Sequence, residues 1–113
     1  MTSSYKGYLI QENDGSYAGS IESIDIPEIE DNHLIIKVKY SSLNYKDALS
    51  ASGPKTGVTR NYPFVPGIDA VGEIIESKST KFKIGDHVVV TGYSMGMSVF
   101  GGFGEIIHIP SDW

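Results

Sequence analysis

The sequence contains no cysteine, so disulfide bonds and thiolate metal ligands are excluded. Apart from carboxylates, the remaining side chains that bind metals well are three histidines, His33, His87 and His108. These histidines are far apart in the chain and show none of the spacings typical of metal-binding motifs. We therefore expect each of them to lie at a strand end or on the surface, and we predict no metal site.

Long apolar runs are absent as well, and a helix that spans a membrane needs about 20 apolar residues in succession. The first residues, MTSSYK, lack the apolar segment of a secretory signal. The 9 basic residues are scattered, and the formal net charge is −5. Because nucleic-acid binding requires clustered lysine and arginine, we expect neither a nucleic acid nor a membrane as a partner, and we predict a cytoplasmic protein.

Two catalytic signatures are also missing. The Gly-rich βαβ unit that holds a dinucleotide does not occur, and neither does the Gly-x-Ser-x-Gly turn of serine hydrolases. The glycines of residues 92–104 lead into a predicted strand, whereas a phosphate-binding loop precedes a helix. At 113 residues the chain has the length of one domain.

What the sequence does contain is a series of short strand-like runs separated by turn signals, with one helical stretch. Asn13-Asp14-Gly15 predicts a tight turn that joins the first two strands in a hairpin. Residues 52–67 form a long, proline-containing loop of the kind that often serves as a functional rim. The pattern favours a mainly β fold, a partly open β-barrel with one short helix. The predicted strands are Tyr5–Ile10, Tyr17–Ile26, His33–Leu43, Ala70–Ser77, His87–Thr91 and Glu105–Ile109.

The third strand has the clearest alternation. Leu34, Ile36, Val38 and Tyr40 alternate with Ile35 and two lysines, so we expect the first set to face the core.

A short helix is predicted directly after this strand. Asn44 is a good N-cap, and Asp47 lies in the first turn, where negative charge is favoured. Tyr45, Ala48 and Leu49 share one face of the helix, and a Gly-Pro pair ends it.

Four side chains in and after this helix are candidates for chemistry. Asn44 offers an amide that can donate and accept hydrogen bonds, and Tyr45 offers a phenol that can donate a hydrogen bond to a developing negative charge. The alternatives are that Asn44 only caps the helix and that Tyr45 only packs against Leu49. Asp47 either organises the site or merely stabilises the helix N-terminus by about 0.5 kcal/mol. Arg60 is suited to a phosphate group of a ligand, or it is a solvated loop residue.

The segment Ser41–Leu49, with its Asn-x-x-Asp spacing, together with Pro66–Asp69, resembles the medium-chain dehydrogenase/reductase superfamily. The resemblance is in particular to its acrylyl-CoA reductase and quinone oxidoreductase branch, and it extends over essentially the whole chain. In zinc-dependent members a Cys-x-x-Asp segment and a Gly-His-Glu segment supply metal ligands. Here Asn44 stands at the cysteine position and Ile68 at the histidine position, so the resemblance implies a zinc-free enzyme.

The resemblance further implies that residues 1–113 are a GroES-like N-terminal catalytic domain and that the Rossmann domain, which holds most of the cofactor, is absent from this chain. It implies catalytic roles for Asn44, Tyr45 and Asp47, and contacts of Asn44, Tyr45 and Arg60 with NADPH. The amide of Asn44 would orient a nicotinamide or a substrate carbonyl, and the phenol of Tyr45 would donate to a developing enolate oxygen. Arg60 would bind a phosphate of NADPH or of a coenzyme A ester. Sequence alone leaves the choice between NADPH and NADH open.

The expected function is that of the substrate domain of a zinc-independent, NADPH-dependent oxidoreductase. Its substrate would carry an activated C=C bond, as in the enoyl thioester acrylyl-CoA, or would be a quinone. The parent enzyme is expected to be a homodimer, and the isolated 113-residue polypeptide is expected to have no appreciable reductase activity. The alternative is a stand-alone GroES-like β-barrel that acts as a binding or assembly module without catalysis.

Overall fold

The computed structural model describes residues 4–54, 57, 59, 61–91 and 94–113. Its elements confirm a mainly β fold with one short helix. The strands form a two-stranded and a four-stranded sheet, which do not join into a closed barrel within the described residues. No helix in this part of the chain is long and apolar enough to cross a membrane. The elements are β1 (Ser4–Asn13), β2 (Ser16–Asp25), β3 (His33–Ser41), α1 (Tyr45–Ala51), β4 (Asp69–Ser77), β5 (His87–Thr91) and β6 (Ile106–Pro110).

The predicted hairpin is present. Strands β1 and β2 pair antiparallel from Ser4 opposite Asp25 to Asn13 opposite Ser16. Asp14 and Gly15 both have positive φ angles, of 52° and 84°, which is the conformation that a tight two-residue hairpin turn requires.

Strand β3 lies inside the larger sheet, whose order is β5-β4-β3-β6. Leu34 and Ile36 belong to the main core cluster of this sheet. Ile35 points to the opposite face and is buried in a second cluster with residues of β1 and β6. The start of β3 is therefore buried on both faces, whereas the sequence pattern predicted the burial of one face only.

The expectation that Tyr40 faces the core is wrong, because 74% of its surface is exposed. The register with β4 shifts between Val38 and Tyr40: Val38 lies opposite Gly72, but Tyr40 lies opposite Val71. Consecutive residues of β4 point to opposite faces, so the irregularity turns Tyr40 to the solvent side. A Cβ atom on Gly72 would stand 2.3 Å from the carbonyl oxygen of Lys37, and only glycine allows this close approach of the two backbones.

Candidate functional site

Helix α1 begins with the cap that the sequence predicts. Asn44 has extended backbone angles, φ −128° and ψ 150°, and its side-chain oxygen accepts a hydrogen bond from the N–H of Lys46 at 3.1 Å. The carboxylate of Asp47 in turn accepts from the N–H of Asn44 at 2.8 Å. This reciprocal capping box satisfies two N–H groups at the helix start and fixes the backbone of Asn44 and Tyr45.

Asp47 also holds a second segment in place. Its side chain is buried, with 3% exposure, and its other carboxylate oxygen accepts from the N–H of Ile68 at 2.9 Å. The two segments that carry the family resemblance, 44–47 and 67–69, therefore meet through one carboxylate. Both oxygens of Asp47 accept hydrogen bonds from backbone N–H groups, so this carboxylate joins the two segments.

The turn at Gly67 brings this segment close to residues 101–104. Gly67 has a φ angle of 114°, and a Cβ atom there would lie 2.7 Å from the backbone nitrogen of Gly102. Gly102 instead donates its N–H to the carbonyl oxygen of Gly67 at 2.9 Å. The turn therefore requires glycine at position 67, because a side chain there would collide with the backbone of Gly102.

The helix docks on the domain with polar contacts. Ser50 is fully buried and donates to the carbonyl oxygen of Gly96 at 3.0 Å. The hydroxyl of Thr59 lies 2.8 Å from that of Ser50, and Tyr62 donates its hydroxyl to the carbonyl oxygen of Ser50. Burial and, to a smaller degree, the neighbouring Tyr17 raise the pKa of Tyr62 above its ordinary value.

The opposite side of the helix start is open to solvent. Asn44 is exposed, and so are three large side chains close to it in the chain: Tyr40 at 74%, Leu43 at 88% and Tyr45 at 78%. The exposure of the Tyr45 ring disfavours the alternative that this residue only packs against Leu49. A groove of about 390 Å³ begins beside Tyr40 and continues along residues 102–105.

The predicted site residues thus fall into three groups. Asn44 and Tyr45 lie together on the exposed rim, and Asp47 lies buried beneath them. Arg60 lies outside the described residues.

One cluster was missed by the sequence analysis. His33 and His108, which are far apart in the chain, come together with Glu30 so that one ligand atom from each lies within 4.8 Å of the others. Spacing within one segment gives no sign of this cluster, since it depends on how β3 pairs with β6.

Comparisons with known proteins agree with this architecture. The sequence profile of the Alcohol dehydrogenase GroES-like domain matches residues 30–113. A relative in Escherichia coli strain K12, named as a probable acrylyl-CoA reductase (AcuI), is 35% identical over 93% of this chain and 32% of its own length. A Bacillus subtilis relative, named provisionally as the quinone oxidoreductase YhfP, is 32% identical over 100% of this chain and 34% of its own length.

Solved structures of related proteins also match nearly the whole chain. The crystal structure of Bacillus subtilis YhfP with NAD bound superimposes with a TM-score of 0.88 at 31% identity, covering 99% of this chain and 34% of that one. The Escherichia coli K-12 protein YHDH, with bound NADPH, gives 0.85 at 34% identity and covers 95% of this chain and 33% of that one.

The present chain spans about a third of the length of these relatives. Fold, site segments and sequence all agree: the chain belongs to the alcohol dehydrogenase GroES-like domains of the medium-chain dehydrogenase/reductase superfamily.

Proposed function

We propose that this chain is the substrate domain of a zinc-independent, NADPH-dependent reductase that acts on the activated C=C bond of an enoyl-CoA thioester such as acrylyl-CoA, or on a quinone. The observation that carries the proposal is the exposed pair Asn44 and Tyr45, held in place from behind by the buried carboxylate of Asp47. Relatives named as an acrylyl-CoA reductase and as a quinone oxidoreductase support the choice of substrate. Solved relatives with NAD or NADPH bound support the choice of a nicotinamide cofactor.

The residues present fit a nicotinamide and a carbonyl substrate. Amide and hydroxyl donors suit the carboxamide of the cofactor and the carbonyl of the substrate, and apolar side chains such as Leu43 suit the planar ring. Such high exposure of Leu43 and Tyr45 is unusual for side chains that contact only water. We infer that ligands, and in a protein as long as these relatives the part outside this domain, cover this rim.

The cofactor, when bound, supplies the hydride. The task of this chain is to polarise and orient the substrate. The hydroxyl of Tyr45 would donate a hydrogen bond to the substrate carbonyl oxygen and stabilise the negative charge that develops there. The amide of Asn44 would orient the carboxamide of the nicotinamide, and Asp47 would keep both residues at the helix start, so that Asp47 acts as a positioning residue.

The proposal of zinc independence rests on the donor set. Ile68 is a hydrocarbon with 7% exposure, and Asn44 offers a neutral amide where zinc enzymes of the family use a thiolate. The two oxygens of Asp47 are already engaged by backbone N–H groups. Hydrogen-bond donors would therefore polarise the substrate carbonyl in place of a metal ion.

The test measures NADPH oxidation by a protein that contains this chain and has the full length of its relatives. We expect turnover of acrylyl-CoA or of a quinone that is insensitive to zinc chelators and at least tenfold slower in Tyr45→Phe, with a smaller effect on KM. Lys46→Gln is the matched control, since Lys46 is an exposed neighbour in the same helical turn. Full activity in Tyr45→Phe would remove the phenol from the mechanism. No turnover of either substrate class, combined with a ring-shaped oligomer in solution, would favour a non-catalytic binding module.

Five further predictions come from the sequence alone. We expect no reductase activity from residues 1–113 alone. A phosphate contact for Arg60, a homodimeric parent, a cytoplasmic location and the absence of a nucleic-acid partner remain predictions.

A further inference from the structure

We propose a divalent transition-metal site at the end of the sheet far from Asn44, formed by Glu30, His33 and His108. Zn²⁺ is the best-suited ion, because imidazole nitrogens and one carboxylate are donors that it prefers and three protein ligands leave a fourth position for water. One ligand atom from each of the three side chains lies within 4.8 Å of the others, so a single ion can reach all three after small side-chain rotations.

The sheet register creates the cluster. His33 pairs with Pro110 and Ile35 pairs with His108 across the antiparallel strands β3 and β6. His33 and His108 are thus diagonal neighbours on one face of the sheet, where long side chains can touch. Their ring centroids are 4.9 Å apart, and the rings are inclined at 41°.

The orientation of His33 is already that of a ligand. One ring nitrogen, Nδ1, lies 2.9 Å from the carbonyl oxygen of Asp31 and donates its proton there. In this tautomer Nε2 carries the lone pair, and it lies 3.7 Å from a carboxylate oxygen of Glu30. A backbone carbonyl that fixes the second nitrogen of a metal-binding histidine is a regular feature of metal sites.

The turn that carries Glu30 is also anchored. His33 donates its N–H to the carbonyl of Glu30 at 3.2 Å, and Asn32 is bound on both sides, to Lys78 at 3.0 Å and to Ser111 at 2.8 Å. The N–H of Glu30 donates to Nε2 of His108 at 3.3 Å. This last bond is long, and it uses the only lone pair of the neutral His108 ring. An ion bound through either ring nitrogen of His108 would therefore replace it.

Charge favours a cation at this place. The side chain of Glu30 is 69% exposed, so its carboxylate is free to turn toward an ion. Glu76 pairs with Ile35, the same residue that lies opposite His108, and so adds a second carboxylate to this face of the sheet. Strand β3 runs for about 26 Å between His33 and Ser41, at about 3.3 Å per residue, which separates this site from the candidate active site. An ion bound here would join β6 to the turn before β3 and would take no part in hydride transfer.

The experiment is a calorimetric titration of the purified, metal-free protein with Zn²⁺. We expect one ion per chain, and we expect His33→Asn and His108→Asn each to weaken binding by at least about tenfold. Glu30→Gln changes an exposed side chain without risk to the core, and it should also weaken binding. The matched controls are His87→Asn, the third histidine, and Glu28→Gln, an exposed carboxylate of the same loop, and neither should alter the affinity.

Thermal unfolding provides an independent readout. Saturating Zn²⁺ should raise the midpoint of the unmodified protein and of both controls, but not of the three ligand variants. Binding that survives in all three ligand variants, or binding that is lost in His87→Asn, would overturn the proposal. So would the absence of any heat or thermal shift in the unmodified protein. These outcomes are independent of reductase activity.

Discussion

Replacing Asp47 with asparagine should destabilise the protein far more than an ordinary helix-cap substitution. The Asp47 carboxylate accepts two backbone hydrogen bonds, from Asn44 at 2.8 Å and from Ile68 at 2.9 Å, in a site with 3% exposure. A hydrogen bond to a charged group contributes about 1.5–3 kcal/mol. An asparagine keeps one acceptor oxygen but turns an NH₂ group toward the second N–H, which then remains buried without a partner. We expect a loss of about 2–4 kcal/mol in the free energy of unfolding.

Urea denaturation with linear extrapolation measures this difference. The matched control is Asp86→Asn, because Asp86 also accepts from one backbone N–H, that of Lys83 at 2.9 Å, but is exposed. We expect the control to cost less than about 1 kcal/mol. If the two substitutions have equal effects, the buried carboxylate is not what joins the two segments of the site, and the reasoning is refuted.

Two further substitutions test close contacts, one between strands β3 and β4 and one beneath helix α1. Gly72→Ala should destabilise the protein by about 2 kcal/mol or more, because the added methyl group would lie 2.3 Å from the carbonyl oxygen of Lys37. Chemical denaturation measures this loss of stability. The control Gly15→Ala, where nothing lies within 4 Å, should cost only about 1 kcal/mol, and equal effects would contradict the close approach. Ser50→Ala should cost about 1–3 kcal/mol by the same measurement, because the carbonyl of Gly96 loses its donor, and a neutral result would show that this bond does not hold the helix.

Local signals in the sequence predicted much of the fold. The Asn-Asp-Gly turn and the Asn44 cap depend only on near neighbours, and both are present in the structure. The orientation of Tyr40 could not be predicted, since the register shift that reverses it depends on the partner strand.

The candidate site was predictable to a similar extent. Asn44 and Tyr45 were identified from sequence, and their position on an exposed rim fits that hypothesis. The burial of Asp47 and Ser50 was not predictable, because hydrophobic periodicity assigns polar residues to the outer face of a helix. Here those polar side chains satisfy backbone groups of distant loops, and only the tertiary structure brings these together. The meeting of His33 and His108 depends on strand pairing for the same reason.

The central claim is that the amide of Asn44 has a role beyond capping the helix. Asn44→Ser separates the two roles, because serine is an equally good N-cap but has no amide. The decisive measurement is the rate of NADPH-dependent reduction at saturating substrate by this variant in a protein that contains this chain and has the length of its relatives, alongside its free energy of unfolding. We predict that stability changes by less than about 0.5 kcal/mol while the rate falls at least tenfold. An unchanged rate in a stable Asn44→Ser protein would show that Asn44 is only a cap and would contradict the account.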